Sequence, residues 1–276
     1  MSDVAPVIDA FGLTHVGAVR PKNEDQFVIA GVRKQVDVKA TSVEALGSSE
    51  KLRGPEAHLF VVADGVGGHA GGERASGFAV QALAEYLGTA AGCFQRFDTD
   101  AEHDFLEALE QAVHRAHEAL VRESAGRQGG PATTLTMVTL VWPRAYLVHV
   151  GDTRAYVLHG GRLRQLTRDQ TMAEFLVDAG GLTEEQAKTS RTKDMLISAL
   201  GGSSMAPNVG LIDLEPGDTL MLCSDGLTKH VDDREIHRLL ALPAGAESRC
   251  RQLVDASLAG GGSDNITVVV AQMGAP

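Results

Sequence analysis

Residues 133–150 read TTLTMVTLVWPRAYLVHV. Two runs rich in Thr, Val and Leu are separated only by Trp142-Pro143. That gap leaves no room for a crossover helix, so the stretch predicts an antiparallel hairpin. Working outward, similar short runs bounded by Gly, Pro or Asp occur at 11–19, 26–31, 58–63, 155–158, 209–213, 219–223 and 266–271. Two stretches with helical spacing interrupt them. At 73–89 the apolar positions are Ala75, Phe78, Ala79, Ala82, Leu83, Tyr86 and Leu87, and at 101–124 they are Phe105, Leu109, Val113, Ala116 and Leu120. A second helical pair is expected at 232–241 and 246–259. Strands, two helices, strands and two helices predict an α+β fold: a four-layer α–β–β–α sandwich of two antiparallel sheets flanked by helix pairs.

The chain has 276 residues, 43% of them apolar and 22% charged, enough for a sizeable core without disulfide or metal staples. The expectation is a single domain over 1–276. Two segments fit the sandwich poorly. Residues 32–57 are polar and read as a surface insertion, either a long loop or a ragged hairpin extension. Residues 170–207 carry weak helical signals and read as a flap near the substrate side. No apolar run approaches the ~20 residues of a membrane span, and the start, MSDVAPVIDAFG, lacks a signal pattern. Cys93, Cys223 and Cys250 are too few and too scattered for a disulfide frame. These features predict a cytoplasmic protein without a membrane partner. The formal net charge of −11 disfavours nucleic acid. It also disfavours phosphorylated substrates unless bound cations reverse the local field.

The acidic residues carry the functional signal. Asp64-Gly65 follows the run at 58–63, Ser224-Asp225-Gly226 follows 219–223, Asp264-Asn265 precedes 266–271, and Asn23-Glu24-Asp25 precedes 26–31. A single Asp-Gly is usually a turn. Four acidic elements each joined to an apolar strand are harder to explain that way, because buried carboxylates are costly unless paired or metal-bound. An all-oxygen set without Cys/His spacing selects Mg²⁺ or Mn²⁺ over Zn²⁺. In this reading the glycine after each Asp lets the backbone turn and offers a carbonyl ligand. His103, His114 and His117 read as surface residues. The glycines at 67–72 lack the Lys-Ser/Thr ending of a P-loop, and no cysteine has arginine six residues later.

Arg20-x-x-Asn23-Glu24-Asp25, Val62-Ala63-Asp64-Gly65-x-Gly67-Gly68-His69, Gly151-Asp152-Thr153-Arg154, Ser224-Asp225-Gly226-Leu227 and Asp264-Asn265-Ile266-Thr267 follow one another in this order. The series resembles the bacterial branch of the metal-dependent (PPM, type 2C) serine/threonine protein phosphatases over about residues 11–273. The resemblance implies the same four-layer sandwich and two Mn²⁺ or Mg²⁺ ions per chain, with a weaker third. It implies Asp64 as the carboxylate bridging two metals and the Gly65 carbonyl as a ligand. Asp225 and Asp264 would hold the first ion, and Glu24 would approach the second through water. Asp25 would hold water, Asp152 would share a third ion with Asp225, and Arg20 would bind the substrate phosphate.

The implied reaction is hydrolysis of phosphoserine and phosphothreonine in proteins. The attacking water or hydroxide bridges two ions, with Arg20, Asp64 and Asp225 as catalytic residues. Phosphorylated proteins made by a Ser/Thr kinase are the implied partners, and a monomer is expected. An alternative is a pseudophosphatase that binds or senses without turnover; another is a structural cation-binding protein. Three departures from the family pattern stand out. Val66 replaces a histidine that relatives often carry and that would protonate the leaving group. Thr167-Arg168-Asp169-Gln170 lacks an Asp-His ending, and Asp152 with Arg154 has the alternative role of bracing a tight hairpin. For His69 a loop-bracing role is expected.

Overall fold

The computed structural model describes residues 6–35, 53–66, 71–90, 99–123 and 130–274. Among them run β1 (Ile8–His15), β2 (Asp25–Gln35), β3 (Arg53–Val66), α1 (Gly72–Ala90) and α2 (Thr99–Glu123). Then come β4 (Ala132–Thr133), β5 (Leu135–Val141), β6 (Arg144–Val150), β7 (Arg154–His159), β8 (Arg162–Gln165), α3 (Met172–Asp178) and α4 (Glu184–Thr189). The chain continues with β9 (Asn208–Asp213), β10 (Thr219–Cys223), α5 (Asp225–Thr228), α6 (Asp233–Leu240), α7 (Ala246–Ala259) and β11 (Ile266–Met273).

The strands form two sheets of order β1-β11-β10-β7-β8 and β2-β3-β5-β6-β9, with β4 on β3, and every pairing is antiparallel. Side chains alternate across each strand, so a strand buried on both faces feeds two cores. In β3, Phe60 and Val62 point between the sheets, where they meet Leu222 and Val269. Leu59 and Val61 point outward onto Ala79 and Leu83 of α1 and Leu109 and Val113 of α2. On the far side Val268 and Val270 of β11 meet Ile236 of α6 and Leu253 of α7. Three apolar layers between four layers of structure are the predicted α–β–β–α sandwich. Among the described residues no helix is long and apolar enough to cross a membrane.

Departures from the sequence reading have local causes. β8, with the sequence RLRQ, escaped notice because it is a four-residue edge strand whose alternate positions are exposed. The expected insertion at 32–57 begins as a continuation of the β2–β3 hairpin, with Val32 opposite Ala57 and Arg33 opposite Glu56 before a register shift. The rest of it, 36–52, lies outside the described residues, as do Cys93 and His69. The expected flap is not an excursion throughout. It contains α3 and α4, but Leu200 is fully buried and exchanges both backbone hydrogen bonds with Thr133. Of the predicted stripe on α1, Phe78 is exposed while Ala75, Ala79 and Leu83 are buried. His117 is not a free surface residue, since its Nδ1 accepts the Gly201 backbone N–H at 3.1 Å.

Candidate active site

The antiparallel registers bring distant acids to one end of the sandwich. Asp25 and Asp64 stand directly opposite each other in β2 and β3. Asp64 lies inside β3 rather than at its end, because β4 adds pairs at Gly65 and Val66. The Asp64 carbonyl accepts from the Thr134 N–H (2.9 Å) and the Thr133 hydroxyl (2.8 Å). Asp225 opens α5 directly after β10, and Asp264 precedes β11, the neighbour of β10. Asp152 follows Gly151, whose φ of +103° suits glycine at the turn out of β6.

The expectation that glycine after each Asp serves a turn needs correction. Neither Gly65 nor Gly226 has positive φ. Their requirement is close approach: a Cβ on Gly226 would lie 1.8 Å from the Asn265 carbonyl oxygen, and one on Gly65 would lie 2.4 Å from the Gly72 carbonyl carbon. The Glu24 carboxyl rests against the start of α1, with Oε2 3.1 Å from where a Gly72 Cβ would stand.

Asp25 is 2% exposed, and its Oδ2 accepts from the Ser224 and Thr267 hydroxyls, both at 2.7 Å. Burial, then the nearby Asp225 and Asp264 charges, push its carboxyl up to about 7 despite those bonds. Burial and the charges of Asp25, Asp225, Asp152 and Asp264 hold Asp64 well above the carboxylate range. Asp152 is raised by burial and then by Asp225 and Asp169. Asp225 is raised by burial, an effect that the Lys229 ammonium opposes. This mutual crowding defines the site electrostatically.

Among the described residues, Lys229 and Arg20 stand between the acids. Lys229 Nζ lies 2.6 Å from Asp225 Oδ2 and 2.7 Å from Asp264 Oδ2. Arg20 grips Asp264 through Nε and a terminal nitrogen, both at 2.8 Å. Burial would raise Asp264, but the hydrogen bonds from Lys229 and Arg20 outweigh it and hold that carboxyl low. Arg20, expected to bind the substrate phosphate, also pairs with Asp264.

As the side chains stand, no three His, Cys, Asp or Glu residues share one ion-sized point among the described residues. The donor chemistry nevertheless fits a hard divalent cation. It is all oxygen and crowded, and two buried carboxylate oxygens, Asp25 Oδ1 and Asp225 Oδ1, have no hydrogen-bond partner among the described residues. Burial pushes the Cys223 and Cys250 thiols up to about 12, which disfavours the thiolate that a cysteine nucleophile needs.

The model of one protein family, described as protein phosphatase 2C, matches residues 49–258. The chain belongs to the protein phosphatase 2C family. It is 38% identical over 219 residues to the serine/threonine protein phosphatase PstP of Mycobacterium tuberculosis, covering 79% of this chain. The match spans only 40% of the length of that relative. It is 31% identical over 217 residues to the serine/threonine phosphatase Stp of Listeria welshimeri, covering 78% of this chain and 84% of the relative. The catalytic domain of PstP, solved in complex with two manganese ions, superposes with TM-score 0.74 at 32% identity, covering 97% of this chain and 99% of that one. The serine/threonine phosphatase Stp1 of Staphylococcus aureus gives TM-score 0.79 at 26% identity, covering 100% of this chain and 98% of that one.

Several residues of this phosphatase 2C chain acquire a role only in the structure. Asn265 Oδ1 accepts the Glu24 N–H at 2.8 Å, and its Nδ2 donates to the Val16 and Lys22 carbonyls at 2.9 and 2.8 Å. It thereby fastens the loop that carries Arg20. Arg154 does not pair with Asp152. It forms a bidentate pair with Asp169 at 2.8 and 2.7 Å, so the stretch at 167–170 braces the Asp152 loop. Gln170 adds to this by accepting the Gly151 N–H at 2.9 Å. His149, held neutral by burial to about 4, bonds Thr136 Oγ1 and the Arg168 carbonyl behind that loop. For Lys229 the available signal was its place four residues after Asp225, one helical turn away.

Proposed function

We propose that this chain hydrolyses phosphoserine and phosphothreonine in proteins with the help of two Mg²⁺ or Mn²⁺ ions. The observation that carries the reading is geometric: Asp25 and Asp64 face each other across β2 and β3, Asp152 and Asp225 stand close enough for their charges to act on Asp64, and Asp25 Oδ1 and Asp225 Oδ1 are buried without a hydrogen-bond partner among the described residues. Such a cluster is stable in its ionised form only beside cations. The protein phosphatase relatives, and the manganese-bound PstP domain among them, support the reaction class.

Asp64, Asp225 and Asp264, with the Gly65 carbonyl, would hold the ions; Glu24 and Asp25 would hold water beside them, and Asp152 with Asp225 would serve a weaker third. When bound, such ions supply the Lewis acidity that lowers a water's pKa and the positive charge that balances phosphate.

The chain's own residues do the rest. Ser224 and Thr267 fix the Asp25 carboxyl through Oδ2 and leave Oδ1 free to face inward. Arg20 spends two of its guanidinium donors on Asp264, and the remaining ones bind the substrate's phosphate oxygens. With a side chain 47% exposed, Arg20 is reachable by a phosphorylated loop. Opposing Ser/Thr kinases would supply the substrates.

The test is release of phosphate from a phosphothreonine peptide with saturating Mn²⁺, with EDTA and Asp64→Asn as controls. Metal-dependent turnover lost in both controls is expected. A wild-type protein that binds Mn²⁺ yet releases no phosphate from any phosphopeptide would overturn the reading.

A further inference from the structure

Lys229 carries an inference of its own. Its backbone N–H closes the single turn of α5 on the Asp225 carbonyl at 2.9 Å, which places the two side chains on one face. Its ammonium bridges Asp225 Oδ2 and Asp264 Oδ2, while Asp225 Oδ1 stays buried without a partner among the described residues. The ammonium therefore does what a cation does at this pair, from within the chain. It also has somewhere to go. Beside it opens a cavity of about 570 Å³ whose lining mixes acids, Asp152, Asp194 and Asp232 among them, with bases such as Lys188 and Lys193. Asp194 lies close enough that its charge acts on Asp225.

We propose that Lys229 is a built-in cation that occupies the Asp225–Asp264 pair, competes with the divalent ion there and so sets the affinity for metal. The inference rests on the assignment of Asp225 and Asp264 as metal ligands made above. An entering ion must exchange with an ammonium held by two charge-assisted hydrogen bonds, which are among the stronger contacts a side chain makes. The displaced ammonium swings into this cavity, where Asp194 and Asp232 are the carboxylates that receive it. A lysine suits this exchange because its flexible stem and single charged head detach more readily than a bidentate guanidinium.

Two measurements test the proposal. The first is isothermal titration of Mn²⁺ into the metal-free protein, comparing wild type with Lys229→Met and Lys229→Gln, alongside thermal melting in EDTA. Removing the ammonium is expected to tighten the first Mn²⁺ site at least tenfold while lowering the melting temperature of the metal-free protein. Lys229→Arg, which keeps a cation at the pair, is expected to leave the affinity at or below that of wild type. A purely structural ion pair predicts the loss of melting temperature with unchanged Mn²⁺ affinity, and that result would overturn the proposal.

The second measurement uses the wild-type protein alone, so it survives any variant that fails to fold. Acylation of the Lys229 amine, followed by mass spectrometry, is expected to rise several-fold when Mn²⁺ replaces EDTA. Unchanged or reduced labelling counts against displacement. Wild type that takes up no Mn²⁺ at all defeats the metal assignment itself, whereas Mn²⁺ uptake indifferent to residue 229 defeats only the competition.

Discussion

Replacing Asn265 by alanine tests how the site is held together. Asn265 is 5% exposed and makes three hydrogen bonds through its side chain, to the Glu24 N–H and to the Val16 and Lys22 carbonyls. An intramolecular hydrogen bond contributes about 0.5–1.5 kcal/mol net, and a buried donor or acceptor stripped of its partner costs about 1–3 kcal/mol. The three bonds are not independent, because all anchor one loop. The expected destabilisation is therefore roughly 2–4 kcal/mol, equivalent to roughly 3–7 °C at a little under 2 °C per kcal/mol for a chain of this size. Urea denaturation at fixed Mn²⁺ measures the first quantity and a thermal scan the second. Because the loop carries Arg20, whose guanidinium is assigned to phosphate, KM for a phosphopeptide is expected to rise at least fivefold. Asn265→Asp keeps the acceptor for Glu24 but loses both donors and adds a charge next to Asp264, so it is expected to be at least as destabilising as alanine. A loss below about 0.5 kcal/mol together with an unchanged KM would refute the view of Asn265 as the fastener of this loop.

Gly226→Ala places a methyl 1.8 Å from the Asn265 carbonyl oxygen, and a loss of at least about 2 kcal/mol is expected by denaturant titration. Gly210→Ala in β9, where a methyl meets nothing within 4 Å, is the control and should stay within about 1 kcal/mol of wild type. Asp25→Asn probes the raised carboxyl in EDTA. Burial lifts it to about 7 in the folded protein, above the ordinary aspartate value of 3.8, so the carboxyl's contribution is full below 3.8 and is lost as pH rises through about 7. The stability of the variant relative to wild type is therefore expected to increase from pH 4 to pH 7 and level off above; a flat difference would show that the carboxyl is not buried as described. Asp64→Asn relieves repulsion among the crowded acids, so the metal-free variant should melt above metal-free wild type while losing nearly all Mn²⁺-dependent turnover. Retention of more than a tenth of turnover would remove Asp64 from the site.

The strand pattern and the chemistry of the acids were both readable along the chain, for a shared reason. Strands such as β6 and β10 are buried on both faces, so nearly every position is apolar and the borders match the structure to the residue. β8 was invisible because an exposed edge strand imposes no such pattern on its residues. The acids stood out because a carboxylate attached to a buried strand is a local anomaly. Glycine after Asp suggests a turn when read along the chain, yet Gly226 is required by a neighbour 39 residues away in sequence, the Asn265 carbonyl.

Residue types and their order along the chain were enough to establish the layered architecture, the hard-oxygen character of the site and the family to which the chain belongs. Which groups actually touch was decided by tertiary structure. The opposition of Asp25 and Asp64 is a matter of strand register, and the pairing of Arg154 with Asp169 rather than Asp152 depends on where a loop returns. Lys229 bridging Asp225 and Asp264 needs two chain segments brought side by side by β10 and β11. Burial and charge act over a few ångströms in space, a proximity that separation along the chain does not encode.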